Sequence, residues 1–235
     1  MTRPTFHTAL VTSSELLTQP WLSDLTRMVN ASYMVNYTNV IKFSPKKKRL
    51  QTDSTLAEEL GEGGFTVVAF ISNGPDQPDE VIGTASMKKW KDDGEWKPHD
   101  EPMSTTDRVD QDLNQILQKH VCLGDYELST VALPPDPRIR GKGIAGHLVR
   151  LCEEEILRRQ RASEKTSQSP VRIMIRTVKE NNSAYWMKQG FTAVGSRTCP
   201  EGFWDAAEPF TMWAMIRELS PKSESESKQK DILEV

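Results

Sequence analysis

Residues 138 to 146 read R-I-R-G-K-G-I-A-G. Three glycines and three cations stand just ahead of an amphipathic run, a composition that can hold phosphate. Glycine lets a backbone approach an anion closely, and the N–H groups of a following helix point at it. Arg138, Arg140 and Lys142 add positive charge. Two phosphate chemistries compete for this stretch, beside a third reading in which it is only a glycine-rich helix start.

Gly141, Gly143 and Gly146 fit the dinucleotide pattern G-x-G-x-x-G. That fold places its first glycine at the very end of a strand and an acidic residue ~20 positions on, at the end of the next strand. Here the seven residues PPDPRIR separate Leu133 from Gly141, and the next strand ends near Val178. A P-loop lacks its Gly-Lys-Ser/Thr. The remaining fit is a pyrophosphate loop of the form R-x-x-G-x-G, running Arg138, Ile139, Arg140, Gly141, Lys142, Gly143, with Ile144 and Ala145 opening the helix behind it.

The elements around the loop follow from periodicity. FHTALV, FTVVAFIS (65 to 72), EVIGTASMKKW (80 to 90), YELSTVAL (126 to 133), VRIMIRTV (171 to 178), FTAVGS and FTMWAMIREL (210 to 219) read as strands. NGPDQPD makes the second and third a hairpin. WLSDLTRMVNASYM and DSTLAEEL read as helices, as does the run from about Gly143 to Gln160, where Glu154 and Glu155 face Arg158 and Arg159 at i, i+4. NNSAYWMKQ is a short helix stopped by Gly190. PPDP ends the YELSTVAL strand, since proline removes a ladder donor. Residues 91 to 122 interrupt the pattern as a polar insertion, with Val109, Leu113, Ile116 and Leu117 on one helical face. Residues 1 to 219 are expected to form a single domain, followed by a polar, disordered tail over 220 to 235.

With these segments in order, the chain resembles the GNAT superfamily of acetyl-CoA-dependent N-acetyltransferases. The likeness covers roughly residues 6 to 219 and is sharpest over 125 to 191. YELSTVALPPDPRIRGKGIAGHLV resembles that family's strand, loop and helix, and VKENNSAYWMKQGF its second motif, ending in Gly190 and Phe191. The resemblance implies an α/β (α+β) fold. Its mixed, mostly antiparallel sheet is flanked by helices and splayed between the fourth and fifth strands, with acetyl-CoA in the gap. The reaction implied is direct attack of a primary amine on the thioester.

An alkyl amine is mostly protonated at neutral pH, so a base must take a proton. Glu127 is the candidate, because protein-lysine acetyltransferases carry a glutamate at the matching place and Glu127 to Leu133 reads E-L-S-T-V-A-L; the other reading is a strand glutamate facing solvent or paired to a cation. Val131, Ala132 and Leu133 are expected beside the pantetheine arm, with the Val131 N–H on the carbonyl oxygen. Many members carry a tyrosine four residues before the terminal glycine as the acid for the leaving thiolate. Here that position holds Trp186, whose indole N–H has no acid proton to give. Tyr185, five residues before Gly190, matches the lysine-acetyltransferase branch and is the expected acid instead, or else only packs between helix and sheet. Asn182 either positions the cofactor's arm or caps the helix.

Other classes find less support. A net charge of -3 gives no general pull toward nucleic acid or membrane, and no apolar run approaches a membrane span. Cys122, Cys152 and Cys199 are scattered and the histidines form no ligand pair, so neither a metal nor an acyl-cysteine route is expected; His147 is read as solvated. MTRPTFHTALVTSSELL lacks the apolar block of a signal peptide, so a cytoplasmic protein is expected. PKKKR (45 to 49) resembles a nuclear-import signal, suits an acidic partner, or is a solvated loop. Trp90, Trp96, Phe203 and Trp204 either line an apolar acceptor pocket or only pack. The alternative function is an acyl-CoA-binding sensor without catalysis. The acceptor amine and oligomeric state are not encoded legibly.

Overall fold

In the computed structural model, residues 5–36, 48–75, 77–98, 125–162 and 170–219 are described. Outside them lie most of the insertion, with Cys122 and its helical face, most of PKKKR, and the tail. In chain order the elements are β1 His7–Thr12, α1 Ser13–Leu16, α2 Leu22–Asn36, α3 Thr55–Leu60, β2 Phe65–Ile71, β3 Glu80–Lys89, β4 Lys97–Pro98, β5 Tyr126–Ala132, α4 Ile144–Ala162, β6 Val171–Val178, α5 Lys179–Lys188, β7 Thr192–Cys199 and β8 Phe210–Leu219.

The described strands form one sheet in the order β1-β2-β3-β5-β6-β8-β7-β4. Every neighbouring pair is antiparallel except β5 and β6. The fourth and fifth strands of the sequence reading are β5 and β6 here, because the two-residue β4 intervenes. Their parallel pairing is confined to Tyr126↔Ile173 and Glu127↔Met174. Beyond that point β6 stays paired with β8 as far as Val178, while β5 loses its partner on this side from Leu128 to Ala132. The sheet therefore splays where the resemblance implied.

Both faces of the sheet are covered, which is why β2 reads as an unbroken apolar run rather than an alternation. Phe65, Val67 and Ala69 face α4 and pack with Leu148, Val149, Cys152 and Ile156. Val68 and Phe70 face the other way, onto Leu25, Val29, Leu56 and Leu60 of α2 and α3. Among the described residues no helix is long and apolar enough to cross a membrane.

Several local details differ from the periodicity reading. Lys97–Pro98, inside the expected insertion, joins the sheet edge as β4 against β7, with proline tolerated there. The four-residue α1 is held by a capping box between Thr12 and Glu15. Glu155 alone collects both guanidinium groups, of Arg158 at i+3 and Arg159 at i+4. His147 is not simply solvated: its ring meets Phe6 edge on at 5.4 Å.

Candidate active site

The splay opens a cleft of about 750 Å³ whose walls include Leu128, Ser129 and Val131 from β5, Ile175 to Val178 from β6, and Asn181, Asn182 and Trp186 from α5. Strand β5 is irregular where it lines this space. Ser86 pairs with Thr130 but Met87 pairs with Leu128, so Ser129 is an extra residue in the ladder. A bulge of this kind re-aims the side chains and backbone that follow it. Val131 lies just beyond it, against the cleft, whereas Ala132 is buried on the α2 side of the sheet. Leu133 turns back onto the α4 core.

At the C-terminal end of β5 the chain enters the glycine loop. Asp136 organises its first turn: the N–H groups of Ile139 and Arg140 donate to its carbonyl oxygen, each at 2.9 Å, and that of Arg138 donates to its carboxylate at 2.7 Å. The Arg138 side chain also donates to Asp136, from Nε at 2.8 Å, which holds the Asp136 carboxyl below its usual range. Ile139 and Ile144 are core residues, so they can meet a ligand only through backbone. Gly141 and Gly143 have φ values of 73° and 76°, and a Cβ on either would meet no atom within 4 Å. Both glycines therefore line open space. The ladder of α4 starts with His147 N–H to Gly143 at 3.0 Å, so the N–H groups before it lie outside that ladder. No acidic residue stands in the first turn of this 19-residue helix. Ala145 and Lys142 are partly exposed beside it.

Glu127 lies at the other end of β5, about 17 Å from Ala132 at the usual strand rise. It is only 5% exposed yet lines the cleft. Arg176 Nη2 donates to its Oε2 at 3.0 Å, and Arg176 Nε stands 3.0 Å from Oε1, too far off axis for a second hydrogen bond. Lys88, opposite Glu127 in register, brings its ammonium to 3.4 Å from Oε2. Arg176 escaped the sequence reading; VRIMIRTV carries arginines at 172 and 176, and nothing in the local pattern says which of them meets a buried carboxylate.

The α5 side chains divide by azimuth. A Schellman end, with Gly190 at φ 82°, sends the Phe191 N–H to Trp186 at 3.1 Å and that of Gly190 to Met187 at 2.9 Å. It seats the Trp186 ring against Phe191 at 5.5 Å. Trp186 lines the cleft; Tyr185 does not, and is 40% exposed. Burial of part of its ring still pushes the Tyr185 phenol up. Asn182 lies inside the helix, not at its start, so it is no cap; it lines the cleft, as does Asn181, whose buried Oδ1 has no hydrogen-bond partner.

Tyr33, Lys48, Arg49, Glu59, Trp204 and Asp205 also line the cleft. Arg49 and Glu59 form a two-pronged pair at 2.5 and 2.7 Å. Trp204 and Asp205 both have positive φ, 54° and 58°, and Trp204 is 49% exposed. The other aromatic candidates pack: Trp90 is buried with Met174 and Val194, and Trp96 and Phe203 lie against neighbouring clusters. Cys152 and Cys199 are buried, and burial pushes both thiols up, so neither is disposed to act as a nucleophile.

No family model matches this chain, and no curated protein matches it in sequence. Solved structures do. The ribosomal-protein-S18-alanine N-acetyltransferase from Escherichia coli aligns with a TM-score of 0.51 at 12% identity, over 94% of this chain and 97% of that one. An acetyltransferase of the GNAT family from Streptococcus pneumoniae aligns at 0.49 and 12%, over 92% and 100%. NAA60 from Arabidopsis thaliana, solved with a bisubstrate analogue, aligns at 0.48 and 15%, over 92% and 100%. The first likeness, together with the splayed sheet, shows that the chain has the GNAT fold.

Proposed function

We propose that this chain, built on the GNAT fold, is an acetyl-CoA-dependent N-acetyltransferase that acts on a primary amine. The observation that carries the reading is the splay between β5 and β6, leading to a loop whose two positive-φ glycines face open space at a helix N-terminus. An unpaired strand edge suits the amide-bearing pantetheine arm, and the glycine loop suits the pyrophosphate. When bound, acetyl-CoA supplies the activated acyl group. Arg138, Arg140 and Lys142 provide charge beside the loop, and Asp136 must yield Arg138 for its fork to meet phosphate.

The chain's own residues divide the remaining work. Glu127 accepts the proton of the attacking amine, directly or through water. The Val131 N–H, just past the bulge, donates to the carbonyl oxygen as charge develops there. Trp186 and Asn182 bound the cleft near the sulfur, and the indole N–H is a hydrogen-bond donor only. Tyr185 stands outside the cleft lining, which leaves its acid role without geometric support. A binding-only sensor would have no use for a carboxylate in the cleft wall, so catalysis is the better reading. The cytoplasm is the compartment this reading assumes.

Calorimetry with acetyl-CoA and with NADH tests the cofactor assignment, with tight binding expected for the first alone. Thiol release from acetyl-CoA in the presence of lysine, spermidine or a short peptide with a free N-terminus tests the reaction. Release no faster than without amine, across a broad panel, would remove the enzymatic reading and leave the sensor.

A further inference from the structure

We infer that Arg176 is a positioning residue for Glu127 and that Asp93, in the stretch leading to β4, holds Arg176 in that role. The inference rests on the reading of Glu127 as the base.

A glutamate this deeply buried needs compensation for its lost hydration. Lys88 supplies a point charge, but a lysine ammonium does not define the plane of a carboxylate. Arg176 does, because its donors lie in one rigid plane. That plane is held on three sides. Nε and Nη2 face Glu127, Nη1 stands 3.5 Å from Asp93 Oδ2, and the guanidinium lies over the Trp90 ring, 5.0 Å from its centroid.

Asp93 is fixed in turn. Its Oδ1 accepts the Glu95 N–H at 3.2 Å, and its Oδ2 also meets Arg197 Nη1 at 3.3 Å. Arg197 pairs with Glu95 at 2.5 Å, and Lys97–Pro98 then closes onto β7. The three carboxylates, Glu127, Asp93 and Glu95, are matched by the three cations Lys88, Arg176 and Arg197 along one continuous chain of contacts. It runs from the cleft wall to the edge of the sheet. Its outer half belongs to residues 91 to 98, read in the sequence as a polar interruption.

The consequence is mechanistic. A base oxygen must lie within ~2.6–3.2 Å of the nitrogen whose proton it takes, and small misplacements are costly in rate. A carboxylate has about four lone-pair sites. Arg176 and Lys88 occupy part of this capacity, and the clamp decides which way the rest is aimed.

The test uses the full chain, acetyl-CoA and the fastest amine among lysine, spermidine and a short free-N-terminus peptide. Arg176→Met should lower kcat about ten- to a hundred-fold, with acetyl-CoA affinity unchanged in calorimetry. Arg176→Lys should recover only part, because it restores charge without the fork, and Asp93→Asn should cost a few-fold. The deciding variant is Glu127→Gln with Arg176→Met. If Arg176 acts through Glu127, the double variant is no slower than Glu127→Gln alone. Multiplying losses would overturn the inference while leaving Glu127 as the base. A Glu127→Gln variant with full turnover would remove the base reading itself. A second measurement needs no acceptor. The Arg176 Nε–H resonance should exchange faster with water in Asp93→Asn than in the unaltered protein; equal exchange would strip Asp93 of its role, even if Arg176→Met did not fold.

Discussion

The rings of Tyr185 and Trp186 meet edge to face at 5.0 Å, and of the two only Trp186 lines the cleft. Successive residues on a helix point ~100° apart, so one turn of α5 can send only one of them to the thiol end. The Schellman contact with Phe191 selects Trp186. Tyr185→Phe is therefore expected to keep most of its turnover in a thiol-release assay. Trp186→Ala should weaken acetyl-CoA binding and cost about 2–4 kcal/mol of stability in urea unfolding. A large fall in kcat for Tyr185→Phe, with cofactor affinity intact, would return the acid role to the tyrosine.

Gly141 and Gly143 make the second prediction. A Cβ at either position would meet no atom within 4 Å, and the left-handed backbone costs about 1–2 kcal/mol, so aspartate variants at both should fold. Each nevertheless places a side chain and a like charge where the pyrophosphate is proposed to sit. Calorimetry should show acetyl-CoA binding abolished in both, and unaltered affinity would remove the phosphate assignment.

For Glu127→Gln, kcat should fall ~10²- to 10⁴-fold with acetyl-CoA affinity little changed. The change also leaves Arg176 and Lys88 short of a counter-charge, so urea unfolding should be run beside the kinetics. Alkaline buffers supply more free amine, and turnover of the variant should recover in part as pH rises. Undiminished turnover at neutral pH would make Glu127 a structural residue.

Glu155 gives a stability prediction away from the cleft. Hydrogen bonds from Arg158, and then from Arg159, hold its carboxyl at about 2, well below its usual 4.5. The folded value is the depressed one. Its stabilisation is therefore present above the unfolded value near 4.5 and is lost as pH falls toward about 2. Arg158 is 66% exposed, so screening reduces the effect to about 1 kcal/mol. Glu155→Gln should lower the urea midpoint at pH 7 and converge with the unaltered protein near pH 2. An equal gap at both pH values would show that packing, not charge, is what the variant disturbs.

Much of this architecture is written in the chain itself. The seven longer strands are short-range patterns in the chain, and PPDP and Gly190 are breakers whose effect is local. The glycine loop was legible for the same reason, since what makes it open is the absence of side chains at Gly141 and Gly143. Glu127 could be named as the candidate base only through the family resemblance, which carries a glutamate at the matching place on the strand. The two-residue β4 was not legible, because a pairing of Lys97 with Ser196 leaves no trace in local periodicity.

What only the tertiary structure decided concerns partners and directions. The bulge at Ser129 depends on how β3 and β5 align, not on either strand alone. Trp186 rather than Tyr185 meets the cleft because α5 is rotated about its axis by the contact with Phe191. Arg176 finds Glu127 from 49 residues away and Asp93 from 83. The amino-acid sequence by itself determined which segments become strands and helices and where the backbone can approach an anion, because those follow from neighbours along the chain. Which charges neutralise one another in the cleft wall follows from how distant strands pack, and that was settled only when the sheet closed around them.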